Sequence, residues 1–493
     1  MTQHLSQRLV AAVLVVLTVL SAANTPAALA IAPPTVDPAL VPPDTTPGPE
    51  QAMRQSNSCA RTVAVPQPDV AKPAAGLSML NITRAWQYST GNGVPVAIID
   101  TGVSPHPRLP VIAGGDYVNG GDGLTDCDAH GTLIASVIAA APQGGAMPRP
   151  MPPDPAFPPP AFPQQAVRPT QPTPPAGPPD GVVGVAPHAT VISIRQSSRA
   201  YEPVVPWSAD GEARAKAGTV ATLAKAIVHA ANLGAKVINI SVASCVSAAD
   251  PIDQRSVGAA VWYAATVKDA VIVAAAGNEG ESGCTQNSEF DPLVVGDPRD
   301  WRDVKTISSP SWFSDYVLSV GAVDATGAPL SRSLAGPWVG AAAPGTGVIG
   351  LSSQDGRAVN AYPPLRPGEP HVPFAGTSFA AAYVSGLAAL VRAKFPGLTA
   401  RQVINRILAT AHNPPRGVDN QVGHGVVDPV AALTFDVAPG GSSAPGAQTR
   451  VLAPPGPPPR PDRRAHVVAL IFTGLVGVGV VAAALRARSR RTP

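Results

Sequence analysis

Charged and aromatic residues are both scarce in this chain. Of its 493 residues only 14% are Asp, Glu, Lys or Arg and 4% are Phe, Trp or Tyr, and the formal net charge is +3. No basic face interleaved with aromatics stands out, which argues against nucleic acid as a partner. No acidic cluster has calcium-loop spacing, so no metal is expected, and no other cofactor is called for. Cysteine is limited to Cys59, Cys127, Cys245 and Cys284, an even number that permits two bridges in three connectivities. Proline and glycine, by contrast, number 59 and 46. They concentrate in a few stretches, so the folded part is shorter than the chain.

The two ends read as export and anchoring signals. Arg8 precedes an apolar run from Leu9 to Leu20 that gives way to small residues ending in Ala28-Leu29-Ala30, the layout of a signal peptide over 1–30. Near the other end, Ala465 to Leu485 contains no Lys, Arg, Asp or Glu and is long enough to cross a bilayer as one helix. The tail, 486–493, adds Arg486, Arg488, Arg490 and Arg491, the flank expected on the cytoplasmic side. The expectation is a single-pass protein of the cell membrane with its bulk on the extracytoplasmic side. Export to an oxidising compartment favours pairing of the cysteines.

Between the ends, 31–75 is rich in Pro and Ala with little periodicity and reads as an arm. From Ala141 to Asp180 there are sixteen prolines, a density that predicts an exposed, partly polyproline insert. A proline-rich linker over 438–464 reads as a stalk. The remainder, 76–437, alternates short β-rich runs (Val96 to Ile99, Thr190 to Ile194, Val237 to Ile240, Val271 to Ala274, Val317 to Val320) with helix-like ones (Thr132 to Ala140, Thr219 to Leu233, Gln254 to Lys268, Phe379 to Phe395). The strand runs are continuously apolar, as expected of strands covered on both faces. This predicts an α/β fold around a mostly parallel sheet. Thr399 followed by Gln402 predicts a capping box for a further helix, Ala400 to Ala409.

In such a sheet functional groups collect at the carboxyl ends of the strands. Three polar sites stand there: Asp100 in "VAIIDTGV", His130 in "DAHGTLIAS", at the start of a helix, and Asn278 in "VAAAGNEG". A fourth, Gly376-Thr377-Ser378, opens the apolar helix that follows. Each alone is an ordinary turn, cap or structural residue. Together they supply a nucleophile and its activators. A serine hydroxyl is a poor nucleophile until a neutral imidazole accepts its proton, and the imidazole needs a carboxylate to fix its tautomer. At a helix N-terminus the Ser378 N–H and the helix dipole face the place where an oxyanion would form.

With these residues in chain order Asp, His, Ser, the chain resembles the subtilisin-like serine proteases (peptidase S8) from about Gly93 to about Pro429. The resemblance rests on Asp100-Thr101-Gly102-Val103, His130-Gly131-Thr132, Ala276-Gly277-Asn278 and Gly376-Thr377-Ser378-Phe379-Ala380. It implies a three-layer fold, with Asp100 orienting, His130 as base then acid, Ser378 attacking, and the Asn278 amide with the Ser378 N–H as oxyanion hole. Ser241-Val242-Ala243 stands where the family has its substrate-pairing strand, often with glycine in the third place. A methyl at Ala243 narrows the pocket and implies selective cleavage of few secreted proteins.

The order of signal peptide, protease domain, proline-rich stalk, membrane helix and basic tail resembles the mycosins, membrane-anchored proteases of mycobacterial type VII secretion systems. That resemblance implies an N-terminal extension that wraps the domain and a secretion membrane complex as partner. It also opens an alternative, in which the chain mainly stabilises that complex and proteolysis is secondary. If the strands Val237 to Ile240 and Val271 to Ala274 are neighbours, their exits bring Cys245 and Cys284 within bridging range, leaving Cys59 for Cys127.

Overall fold

The computed structural model describes residues 31–442, apart from gaps at 145–146, 160–176, 206–216, 250, 282, 290–300, 302–303, 365 and 416, together with isolated helical positions between 477 and 486. The expected signal peptide lies outside the described residues. So do most of the linker and tail and all but isolated positions of the expected membrane helix. Among the described residues no helix is long and apolar enough to cross a membrane. The chain divides into two units, 1–447 and 448–493.

The first unit is built on a seven-stranded sheet. Its strands, in chain order, are β1 (Pro95–Asp100), β2 (Val111–Asp116), β3 (Thr190–Arg195), β4 (Val237–Ile240), β5 (Val271–Ala275), β6 (Val317–Val323) and β7 (Val339–Pro344). They lie in the order β7-β6-β5-β4-β1-β3-β2, and every neighbouring pair is parallel. Alternation along each strand sorts side chains between two cores. Val96 and Ile98 pack on one side with the helices α1 (His130–Ala139) and α4 (Thr377–Lys394). Ala97 and Ile99 pack on the other with α2 (Val220–Asn232) and α3 (Arg255–Trp262). Three layers result, and the interior strands are mostly apolar because helices cover both of their faces. Helix α5 (Ala400–Ala409) begins at a capping box in which Thr399 and Gln402 satisfy each other's backbone N–H groups.

The segment before the sheet lies along the domain. Asp44 accepts from His229 Nδ1 and Asn232 Nδ2, both at 2.8 Å, and Glu50 meets Lys225 Nζ at 3.1 Å. Met53–Gln55 pairs antiparallel with Tyr201–Pro203. Farther on, the buried Asn360 holds the segment by a three-bond clamp, donating to Val65 O (2.8 Å) and Pro68 O (2.6 Å) and accepting from Val65 N (2.8 Å).

The proline-rich insert differs from the expectation of a wholly exposed loop. Its base is held by the buried Arg108, which forks onto Asp180 at 2.7 and 2.9 Å. Within it, Asp154 N donates to Lys394 O at 2.7 Å, and the Phe157 ring meets Phe395 edge-on with centroids 5.1 Å apart. Proline density forbids regular elements, but one aromatic side chain is enough to anchor an irregular segment to a helix end.

Candidate active site

The carboxyl ends of β1, β4 and β5 converge on the N-terminus of α4. Asp100 is the last residue of β1 and is fully buried. Its Oδ1 accepts from Thr101 N and lies 2.7 Å from His130 Nδ1. His130 opens α1 directly after Ala129, whose left-handed backbone (φ 63°) turns the chain into the helix. The two segments touch backbone to backbone, since a Cβ on Gly131 would stand 2.0 Å from Gly102 O. Glycine is required there by close approach alone.

Burial by itself depresses the His130 imidazole. The charge of Asp100, its hydrogen bond and the charge of Asp126 act against this, Arg199 opposes them, and the net shift is upward. The Phe379 ring, 5.8 Å from the imidazole between centroids, forms one wall of the site.

Ser378 is the second residue of α4 and is 8% exposed. Its hydroxyl donates to Ser241 O at 3.0 Å, and no hydrogen bond joins it to His130. Ser241 Oγ in turn donates to Ser378 O (3.2 Å) and accepts from Asn239 Nδ2 (2.8 Å), while Ser385, two turns along α4, donates to Asn239 Oδ1 (2.8 Å). A buried polar chain thus bolts α4 to β4.

Asn278 follows β5. Its Oδ1 accepts from Thr377 N at 3.0 Å and Thr377 Oγ1 at 3.2 Å. With the oxygen so engaged, the amide NH2 donates to Glu281 Oε2 at 3.3 Å. The N–H groups of the first turn of α4 have no acceptor within their own helix. Asp100 with His130 forms one hydrogen-bonded group and Asn278, Ser241 and the Thr377–Ser378 turn another, and the Phe379 ring next to Ser378 faces the imidazole of the first. Val242 instead packs against the α2 and α3 layer, and Ala243 is half-buried beside it. Thr377, Glu281, Asp126 and Arg199 carry no assigned role in the sequence motifs. A spacing signal existed only for Asp126, four residues before His130.

The structure joins Cys59 to Cys127 and Cys245 to Cys284. The second bridge links exits of adjacent strands, since Val237 stands beside Val271 and Ile240 beside Ala274.

The subtilase family pattern matches residues 91–425. Over 523 aligned positions the chain is 59% identical to Mycosin-2 of Mycobacterium tuberculosis H37Rv, covering 95% of both chains. The chain belongs to the mycosins, within the subtilase family. It is a subtilisin-like serine peptidase. This mycosin also superposes on the crystal structure of MycP1 from Mycobacterium smegmatis, with a TM-score of 0.73, 45% identity, and coverage of 86% of this chain and all of that one. A chain in the periplasmic assembly of the ESX-5 inner membrane complex is similar to this mycosin at 52% identity and a TM-score of 0.73, over 87% of this chain and all of the other.

Proposed function

We propose that this mycosin is a membrane-anchored endopeptidase that cleaves few secreted proteins through Asp100, His130 and Ser378. The observation that carries the reading is the 2.7 Å contact between the buried Asp100 carboxylate and His130 Nδ1, with Ser378 at the mouth of α4. Asp100 holds the proton on Nδ1, so Nε2 is free to act as base. Substrate entry turns the Ser378 hydroxyl from Ser241 O towards Nε2. Oγ then bonds to the scissile carbonyl carbon as its proton passes to Nε2. The carbonyl oxygen takes the charge and is met by the Asn278 amide and the Ser378 N–H. Collapse breaks the C–N bond, and the leaving amine takes the proton from His130. Water repeats the sequence on the acyl-enzyme and frees Ser378.

Ser241, Val242 and Ala243 line the substrate strand in this reading, and the Ala243 methyl narrows the pocket beside it. Residues 1–30 are removed on export, 31–75 remain on the catalytic domain of 76–437, and 465–485 anchors the chain so that 486–493 stays inside. A fluorophosphonate probe is expected to label the purified full chain at Ser378, mapped by peptide mass spectrometry. Folded protein that takes up no probe would end the enzyme reading for these residues.

The likeness to a chain within the ESX-5 periplasmic assembly favours a second, compatible role, as a component of a type VII secretion membrane complex. Cells carrying Ser378→Ala are then expected to keep secretion and lose substrate processing, whereas deletion of the chain loses both. Equal secretion defects in the two strains would remove the structural role.

A further inference from the structure

Asp126 lies beneath the catalytic pair and no step above uses it. It is 6% exposed, and its carboxylate accepts four hydrogen bonds. Thr101 Oγ1 (2.9 Å) and Asp128 N (3.2 Å) donate to Oδ1, while Thr132 N (2.8 Å) and Thr132 Oγ1 (2.7 Å) donate to Oδ2. Thr101 follows Asp100 directly, and Thr132 stands two residues after His130. The same Thr101 hydroxyl accepts from Gly131 N at 2.9 Å. One carboxylate therefore grips both segments whose side chains must meet within hydrogen-bond distance.

We propose that Asp126 is a positioning residue that locks the strand end carrying Asp100 to the helix start carrying His130 and adds its charge to the field at the imidazole. The inference rests on the triad reading above. Thr132 N is among the first N–H groups of α1, where an anion is favoured and where no intrahelical acceptor is available. A neutral Asn in this place could accept with one atom only, and its NH2 would face either the Thr132 N–H or the Asp128 N–H, donor against donor in both poses.

The charged and titratable groups around Asp126 are Asp100 at the end of β1, His130 on α1, Asp128 on its own loop, Arg199 after β3, and Tyr362 from the segment packed across the site. Burial pushes the Asp126 carboxyl up to about 6 against the pull of its hydrogen bonds from Thr132 and Thr101, with the Asp100 charge adding to the rise. Ionised, Asp126 raises His130. As the pH falls through about 6 it takes up a proton and this support fades. The two sites then titrate as a coupled pair, which spreads the acid limb of activity over a wider range than one proton gives.

The test is the pH dependence of fluorophosphonate labelling in the detergent-purified full chain. Asp126→Asn removes a negative charge from the imidazole's surroundings, so the acid limb should move down by roughly 0.5–1 pH unit and sharpen to a one-proton slope. The plateau rate should fall by about tenfold or more through lost positioning. Thr101→Val, which deletes the bridging hydroxyl and leaves every carboxylate in place, should lose a similar fraction of the plateau rate, and Thr101→Ser should restore it. An acid limb that does not move in Asp126→Asn overturns the proposal, and so does a Thr101→Val enzyme that matches Thr101→Ser. If Asp126→Asn does not fold, the Thr101 pair decides alone. Absence of labelling in the unmodified chain would instead strike the triad reading itself.

Discussion

Asp100→Asn is expected to lower kcat/KM about 10⁴-fold at neutral pH, the scale general to Ser–His–Asp triads, with the loss in kcat. The carboxylate is fully buried, and its Oδ1 already serves both His130 Nδ1 and Thr101 N, while Oδ2 has no partner. Asparagine has two ways to sit. With its NH2 towards His130 it forces the tautomer in which Nε2 carries the proton, and Ser378 loses its base. With its oxygen there, the NH2 is left buried without an acceptor, at a cost of about 1–3 kcal/mol. In either pose the charge that stabilises the imidazolium is gone. Because that charge holds the His130 imidazole up, the residual activity should show an acid limb at lower pH than the unmodified enzyme. Steady-state kinetics on a fluorogenic peptide decides the matter, and a loss of less than tenfold would remove Asp100 from the mechanism.

Cys59→Ser is expected to release the arm beside the active site and to destabilise the protein by up to about 4.5 kcal/mol, the chain-entropy value for a loop of this length. The bridge spans 68 residues and enters the domain at Cys127, three positions before His130. The figure is a ceiling because neighbouring contacts persist without the bridge. Ala60 N still donates to Cys127 O, Val63 still pairs with Ala361, and the Asn360 clamp still holds Val65 and Pro68. The change should therefore be largest between the Met53–Gln55 ladder and Val63. Trypsin should cut at the exposed Arg61 in the variant, and in the unmodified protein only after reduction. Unchanged resistance at Arg61 together with an unchanged urea midpoint would mean that the bridge adds nothing to the arm.

The parts of the fold legible in the sequence are those where burial on both faces demands β-branched runs. The five interior strands announce themselves in this way. The two edge strands do not. β2 reads "VIAGGD" and β7 reads "VGAAAP", and glycine and alanine carry little strand preference. Their places at the rim are decided by the partner strand.

Around the candidate site, the places of Asp100 and Asn278 after strands and of His130 and Ser378 at helix starts are legible because strand ends and helix starts are local features. The hydroxyl of Ser378 resting on Ser241 O is a choice among side-chain rotamers, which no sequence pattern encodes. For Asp126 the sequence offers only its spacing in "DCDAH", because its four donors come from two segments that only the folded sheet brings together. Phe157 was hidden by the prolines around it, which fix backbone preference and say nothing about where one ring will dock.

The buried chain from Asn239 through Ser241 to Ser378 and Ser385 has a consequence for how the long helix finds its place. Around Ser378 and Ser385 the helical period places alanine on the face that α4 turns towards the sheet, including Ala381, Ala382, Ala388 and Ala389. Methyl-studded surfaces are nearly periodic, so a helix sliding along its own axis would pass several positions of similar van der Waals energy. The two serines stand seven residues apart, and each meets its own partner at the end of β4. Any axial slip breaks both contacts at once inside a dry interior, where an orphaned polar group is costly. The serines act as the two marks of a vernier. They convert a smooth track into a single notch, and Ser378, the proposed nucleophile, sits at the end of the element so located.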